Sequence, residues 1–152
     1  MFLRYLGAPD DPRSQRDEGV WSSWTFGDGD RAVQLLLLDT RWDRSPLAVA
    51  APDARRVPGP YLPRDDPEAR MLGEAQWTWL EKQLGQPAAV RLVGSSIPFL
   101  PYFTGWETWS NLPAEQSRMI ELIAQSGASG VVFLSGDTHW AELSYRSEGV
   151  PY

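Results

Sequence analysis

The sequence predicts an α/β domain in which a mixed β-sheet is flanked by helices. Short apolar segments typical of strands alternate with two amphipathic segments of helical period over most of the 152 residues. A Gly-Asp-Gly-Asp turn at 27–30 joins the first two strand segments and predicts a hairpin. Strands separated by helices are parallel with right-handed crossovers, and the hairpin adds an antiparallel strand, so the sheet is mixed.

The hairpin is the first regular unit that the pattern predicts. Val20, Ser22, Trp24 and Phe26 alternate with other residues, which is typical of a strand with one buried face. The second strand, over 31–39, contains four consecutive leucines and is apolar on both faces. It is therefore predicted to be central in the sheet.

Two helices follow in the chain. The first is predicted over 72–84 and is ended by Gly85, and the second begins at Pro113 and is capped by Gly127. Each carries apolar residues at helical spacing, which predicts one buried side. The predicted inner residues are Leu72, Ala75, Trp79, Leu80 and Leu84 in the first helix and Met119, Leu122, Ile123 and Ser126 in the second.

The remaining segments complete the pattern. Further strands are predicted over 90–94, 131–134 and 141–146, and long connections over 40–71 and 95–112. At the start of the chain, Phe2, Leu3 and Leu6 resemble the last turn of a helix with Gly7 as its cap residue. This stub suggests that the natural chain begins earlier.

Composition and charge exclude several function classes. The 152 residues fit a single domain, and the net charge of −6 argues against a nucleic-acid surface. Without cysteine, neither disulfides nor thiolate metal sites are possible. No apolar run approaches the roughly 18 residues that span a bilayer, and the first residues do not form a signal peptide.

The strongest chemical signal follows the strand at 131–134. Asp137 and His139 are two residues apart, so their side chains can point to the same side of an extended or turning segment. A carboxylate and an imidazole that converge at a strand end can ligate a metal or form an acid–base pair. A turn with a polar cap is the structural alternative. His139 is the only histidine, so no second imidazole completes a local site.

Two other strand ends carry polar side chains. Asp39 can ligate a metal or hold Arg41 in a bidentate pair, and Arg41 can hold a phosphate oxygen. The alternative for Asp39 is a structural role at the sheet edge. Ser95 and Ser96 can donate to an anion or serve a turn. Because parallel strands end at one edge, these loops are expected to meet there.

Aromatic residues crowd the second long connection. Tyr102, Phe103, Trp106 and Trp109 can line a pocket, but packing beneath a loop is the favoured interpretation. Glu115, in the first turn of the second helix, is explained by the helix dipole.

Several motifs together resemble one known family, the alkaline phosphatase D (PhoD-like) branch of the metallophosphoesterases. Their order and approximate spacing are preserved over nearly the whole chain. The strand-Asp-Thr-Arg element and the Ser-Gly-Asp-x-His element are specific in combination. The matching stretches are Gly19–Gly27, Leu37–Trp42, Met71–Leu80, Trp109–Glu115 and Val132–Leu143.

The resemblance implies a partial α/β/β/α sandwich of two mixed sheets flanked by helices. It also implies a two-metal centre, with iron and calcium as the usual pair, that hydrolyses phosphate mono- or diesters. By this resemblance, Asp137 would bind one metal and His139 the other. Separately from the resemblance, we expect Arg41, the third candidate catalytic residue, to be a helper near the site. The expected partner is a small phosphate-ester substrate. Members of this branch are often exported.

The departures from the family pattern lead to a second expectation. The earlier ligand motifs of the family have no match in residues 1–38, so residues 1–152 are expected to be a single incomplete domain, the C-terminal part of the catalytic domain. Half of a sandwich would expose an apolar sheet face and self-associate. The alternative function is a non-catalytic structural or interaction module. A carbohydrate-binding domain, suggested only by the eight tryptophans, would need flat exposed Trp rings, which are not expected.

Overall fold

The computed structural model describes residues 2–5, 7–15, 18–55, 57–101, 105–137, 139 and 141–146. A four-stranded sheet with two long helices forms the main body. The helices and strands, in chain order, are α1 (Phe2–Tyr5), β1 (Ser22–Phe26), β2 (Val33–Leu37), β3 (Ala48–Val49), β4 (Tyr61–Leu62), α2 (Glu74–Leu84), β5 (Val90–Ser95), α3 (Pro113–Ser126) and β6 (Val131–Ser135).

The main sheet has the strand order β1-β2-β5-β6. β1 is antiparallel to β2, whereas β2, β5 and β6 are mutually parallel. The predicted mixed sheet, the hairpin and the interior position of β2 are thereby confirmed. A mixed α/β fold follows because α2 connects β2 to β5 and α3 connects β5 to β6.

Both long helices pack on the same face of this sheet. Gln83 in α2 accepts a hydrogen bond from Ser23 in β1, and its carbonyl accepts one from Gln34 in β2. Leu36 of β2 is 0% exposed and Val93 of β5 is 1% exposed, because the helices cover them. The residues of this core are Leu36, Ala69, Met71, Leu72, Trp77, Leu80, Leu84, Val93, Ile97, Phe99, Trp109, Leu112, Met119, Ile123 and Ala128.

The helix bounds and inner faces differ in part from the prediction. α2 begins at Glu74 rather than Leu72, after Gly73 in extended conformation. Its buried residues are Gln76, Trp77, Leu80 and Leu84, so the prediction for Ala75, which is exposed, is wrong. A small apolar side chain fits a helix surface as well as a core. α3 begins at Pro113 and ends before Gly127, whose φ of 67° is the left-handed conformation expected of a cap.

The opposite face of the sheet is not covered by either helix. In the register, Trp24, Leu35, Leu92 and Val132 form one row across the four strands. The neighbouring rows contain Phe26, Val33 and Val90, and Ser22, Leu37, Gly94 and Leu134. We call this surface the open face.

The open face corrects the prediction for β1. Trp24 is 41% exposed and Phe26 is 59% exposed, so the alternating apolar side of β1 is not buried within the described residues. Ser23 and Thr25 are on the other face instead, where Ser23 donates a hydrogen bond to Gln83 of α2. The pattern identified the strand correctly but assigned its apolar side to the wrong face.

Two further segments depart from the prediction. Residues 141–146 do not form a strand, because no other described segment pairs with them and alternation alone supplies no ladder partner. The connection over 40–71 contains the small β3–β4 pair, where little regular structure was expected. The short N-terminal helix is confirmed, and Gly7 after it has φ of 77°. Leu6, also assigned to that helix, lies outside the described residues.

No helix in the described part of the chain is long and apolar enough to cross a membrane.

Candidate functional site

The carboxyl ends of the three parallel strands meet at one edge of the sheet. Leu37, Gly94 and Leu134 are register partners across β2, β5 and β6. The segments that leave this row contain Asp39 to Arg44, Ser95 and Ser96, and Ser135 to His139. The predicted juxtaposition of the three loops is therefore present in the backbone, and polar residues gather at the position where α/β sheets bind ligands.

Asp39 organises the turn after β2. Its Oδ1 accepts hydrogen bonds from the backbone N–H groups of Arg41 (2.9 Å) and Trp42 (3.0 Å). Its Oδ2 accepts one from the Val20 N–H at 3.0 Å. Both carboxylate oxygens are thus occupied by backbone donors, which supports the structural alternative. The bidentate Asp39–Arg41 side-chain pair does not form.

Gln76 fixes the same turn from beneath and was missed by sequence reasoning. This side chain, 0% exposed, accepts a hydrogen bond from the Asp39 N–H at 2.8 Å and donates one to the Asp39 carbonyl at 2.9 Å. A primary amide matches a peptide group in this way because it presents one donor and one acceptor side by side. A glutamine within the apolar side of α2 was the signal available in the sequence.

Arg41 and Arg44 both pair with Glu107, which lies in the second long connection. The distances are 2.5 Å from Arg41 Nη1 to Glu107 Oε2 and 3.1 Å from Arg44 Nη2 to Glu107 Oε1. Burial acts to raise the pKa of Glu107, but the hydrogen bonds and charges of Arg44 and Arg41 outweigh it and hold the pKa below its ordinary value. Glu107 is therefore a carboxylate that remains ionised at neutral pH.

The serines after β5 have separate roles. Ser95 Oγ donates to the Ile97 carbonyl at 2.7 Å and accepts from Trp109 Nε1 at 3.0 Å, so it serves the turn. Ser96 Oγ lies 2.5 Å from Thr40 Oγ1. This hydroxyl pair ties the ends of β2 and β5 together at the edge.

Asp137 and His139 emerge from the end of β6. Their φ angles are 79° and 57°, and among the described residues they are the ones other than glycine with positive φ. Asp and His tolerate the left-handed region better than most residues, but it remains sparsely populated. Both side chains are exposed, and neither makes a hydrogen bond or ion pair with another described residue. Among the described residues, no group therefore competes for their ligand atoms.

The described residues do not complete a metal site by themselves. None of their His, Asp and Glu side chains form a group of three or more able to hold an ion. Catalytic metal sites commonly use three protein ligands, so Asp137 and His139 alone would be an incomplete set. Their donor types, one carboxylate and one imidazole, suit iron and similar cations. Thr138 and Trp140, which complete the motif, lie outside the described residues.

Glu115 does more than complement a helix dipole. Its Oε2 accepts hydrogen bonds from the N–H groups of Met71 (2.7 Å) and Leu72 (3.1 Å) and from Trp77 Nε1 (3.2 Å). This buried carboxylate therefore joins the start of α3 to the segment that leads into α2. Arg118 lies over the Trp77 ring at 4.5 Å and pairs with Glu74 on the outside.

The aromatic residues divide into packing and exposed sets. Trp109 is 0% exposed and packs edge-on against Trp77 and Phe99, so the packing interpretation is confirmed for it. Trp24, Trp42 and Trp106 are 41%, 55% and 49% exposed, contrary to the expectation of no exposed Trp rings. Tyr102 and Phe103 lie outside the described residues.

A separate cavity of about 560 Å³ lies beside the outer edge of β6. It is lined by residues 98–101, α3, β6 and residues 142–146, and none of Asp39, Arg41, Asp137 and His139 contributes to it. Ser135 is the residue that this mainly apolar cavity shares with the polar edge described above.

Comparisons with known proteins bear on the fold and the family of the chain. Alkaline phosphatase D of Bacillus subtilis (strain 168) is 28% identical over 155 residues, which cover 93% of this chain and 24% of that protein. A solved structure titled "Structure of PhoD" superposes with a TM-score of 0.57 and 25% identity, over 77% of this chain and 23% of the other. The chain thus spans about a quarter of the length of these relatives. The model of the PhoD-like phosphatase family matches residues 5–147, and the chain belongs to that family.

Proposed function

We propose that this chain contributes Asp137, His139 and Arg41 to a phosphoesterase site at the carboxyl edge of the sheet. The observation that carries the proposal is the pair Asp137 and His139. Both are exposed and have a left-handed backbone conformation. The ligand atoms of both make no hydrogen bond or ion pair with the described residues. They follow β6 at the edge where the Arg41 turn follows β2. The substrate class is phosphate mono- or diesters.

Each residue has a defined task in this proposal. Asp137 and His139 would hold the metal centre, with further ligands from outside the described residues. When bound, an iron–calcium pair would supply Lewis acidity for the phosphoryl oxygens and lower the pKa of a water molecule. Arg41, whose side chain is 49% exposed, would bind an anionic ester oxygen through its planar fork. Asp39 and Gln76 would keep the Arg41 turn in place.

The competing function is a non-catalytic module that retains part of the fold. The absence of a three-ligand group among the described side chains favours it for this chain taken alone. Such a module would bind no metal at Asp137 and His139, and its variants would leave any phosphatase activity of the protein unchanged.

Turnover measurements on the metal-loaded protein separate the two functions. His139→Ala and Asp137→Asn are expected to lower turnover of a phosphate monoester and a diester by more than about 100-fold, since loss of an outer-shell partner alone costs about 10- to 100-fold. Asp28→Asn, a change in an exposed turn away from the edge, is the matched control and should have no effect. Full activity of the His139 variant would refute the proposal.

We also infer that the 152-residue chain alone self-associates through the open face. Trp24, Phe26, Val132 and Leu134 are between 41% and 59% exposed and lie on one continuous apolar surface. Soluble monomers rarely leave contiguous apolar patches larger than a few hundred Å² in water. A second copy of the chain carries the same surface and can cover it.

A further inference from the structure

A second set of contacts at the edge concerns Glu107, which was not a candidate in the sequence. Its two carboxylate oxygens contact different guanidinium groups, Arg41 at 2.5 Å and Arg44 at 3.1 Å. Two positive charges and one negative charge leave this cluster with a net charge of about +1, in a chain whose net charge is −6.

The backbone around Glu107 is fixed on both sides. On one side, the Gly105 carbonyl accepts a hydrogen bond from the Tyr61 N–H at 2.9 Å. On the other, the Thr108 N–H donates to the Asn111 side chain at 2.6 Å, and the Trp109 N–H donates to the Pro98 carbonyl at 3.0 Å. Glu107 therefore offers its carboxylate from a held position in the loop.

Arg41 and Arg44 differ in how much of each guanidinium remains available after the contact with Glu107. The Arg44 side chain is 15% exposed, and Glu107 is its acid partner. The Arg41 side chain is 49% exposed and contacts Glu107 through Nη1, while its Nε and Nη2 donate no hydrogen bond to a residue in the described parts of the chain. The contact with Glu107 therefore restrains the Arg41 side chain and leaves some of its N–H donors available.

We propose that Glu107 is a positioning residue that holds Arg41 so that the remaining donors of its guanidinium face a phosphoryl oxygen of the substrate. This inference rests on the proposed function. Arg44 keeps the carboxylate in place from the buried side, and the Asp39 turn fixes the backbone from which Arg41 extends. A flexible arginine would lose rotamer entropy on binding an anion, and the bridge removes part of that cost in advance.

Steady-state kinetics and product inhibition test this role. Glu107→Gln keeps the size of the side chain but removes the charge that holds Arg41. It is expected to raise KM for a phosphate ester and Ki for inorganic phosphate about tenfold, the scale of one charge-assisted hydrogen bond, with kcat within about threefold. Glu107→Asp should recover part of the loss. Unchanged constants, or tighter phosphate binding, would overturn the proposal.

Glu74→Gln is the matched control for a general change of charge. Glu74 also pairs with an arginine, Arg118, at 2.7 Å and 2.8 Å, but on the outside of α2 and α3. Its substitution changes the net charge by the same amount and should leave KM and the phosphate Ki within about twofold. An effect equal to that of Glu107→Gln would mean that overall charge, and not the position of Arg41, governs binding.

A double-mutant cycle shows whether Glu107 acts through Arg41. If it does, Arg41→Lys and Glu107→Gln together should raise KM no more than Arg41→Lys alone. Additive effects would contradict the positioning role. If His139→Ala abolishes turnover while Glu107→Gln leaves KM unchanged, the positioning role alone fails. If His139→Ala leaves turnover intact, the proposed function itself fails.

Discussion

The two faces of the main sheet have the same strands but opposite surroundings. On the covered face, Leu36 and Val93 are 0% and 1% exposed beneath α2 and α3. On the open face, the neighbouring residues Leu37 and Leu134 are 38% and 51% exposed. The covered face includes polar residues such as Gln34 and Arg91, whereas the open face is almost entirely apolar, so hydrophobic character alone does not show which face the chain covers itself.

The difference shows what stabilises this chain. Burial of apolar area is the main favourable term in folding, at roughly 25 cal/mol per Å². The covered face obtains this term from the two helices, and the open face obtains it only if something else covers it. Paired substitutions on adjacent residues of one strand can therefore measure the contribution of each face.

The largest difference is expected between Leu36→Ala and Leu37→Ala. Leu36 is fully buried, so its truncation should reduce the free energy of unfolding by about 2–5 kcal/mol, through lost transfer energy and a cavity. Leu37→Ala, the matched control on the open face, should cost less than about 1 kcal/mol. Chemical denaturation at low protein concentration measures both. Equal losses would show that the open face is buried in solution.

A smaller loss of stability is expected when the buried carboxylate of Glu115 is replaced. Glu115→Gln removes the charge that accepts three N–H donors, and hydrogen bonds to charged groups contribute about 1.5–3 kcal/mol. Thermal unfolding should show a loss of this size. Glu121→Gln, on the exposed side of the same helix, should change stability by no more than about 0.5 kcal/mol. A neutral result for Glu115→Gln would mean that the amide replaces the carboxylate fully.

A substitution on the open face is expected to have the smallest effect on stability. Its effect on self-association is expected to be clear. Leu134→Lys places a charge on this surface at a half-exposed site, so the unfolding free energy should change by less than about 1 kcal/mol. Sedimentation velocity should show weaker self-association. Leu62→Lys, a substitution of comparable exposure in β4, is the control and should leave association unchanged. Undiminished association of the Leu134 variant would place the contact elsewhere.

Much of the fold could be predicted because its signals are local. Proline at the start of α3, glycine after it and the leucine run in β2 each act within a few residues. The solvent exposure of Trp24 and Phe26 could not be predicted, because it depends on the face of the sheet on which the helices pack. The strand expected over 141–146 depends in the same way on a partner, which the alternation of apolar residues does not supply.

The candidate site was predictable in its residues more than in its contacts. Asp39, Arg41, Asp137 and His139 stand out because they come shortly after apolar strands. Gln76 and Glu107 do not stand out, because their roles come from partners far away in the sequence. Gln76 bonds Asp39, 37 positions away, and Glu107 bonds Arg44, 63 positions away. Long-range polar contacts of this kind depend on the completed packing of the loops.

The most direct test of the central claim uses the only histidine in the chain. NMR of the His139 imidazole during titration with paramagnetic Mn²⁺ reports proximity of the metal to this one side chain. The proposed metal site predicts strong broadening of the imidazole and of the Asp137 amide, weakened by Asp137→Asn and left unchanged by Asp28→Asn. An imidazole signal that stays sharp while metal binds elsewhere would contradict the claim.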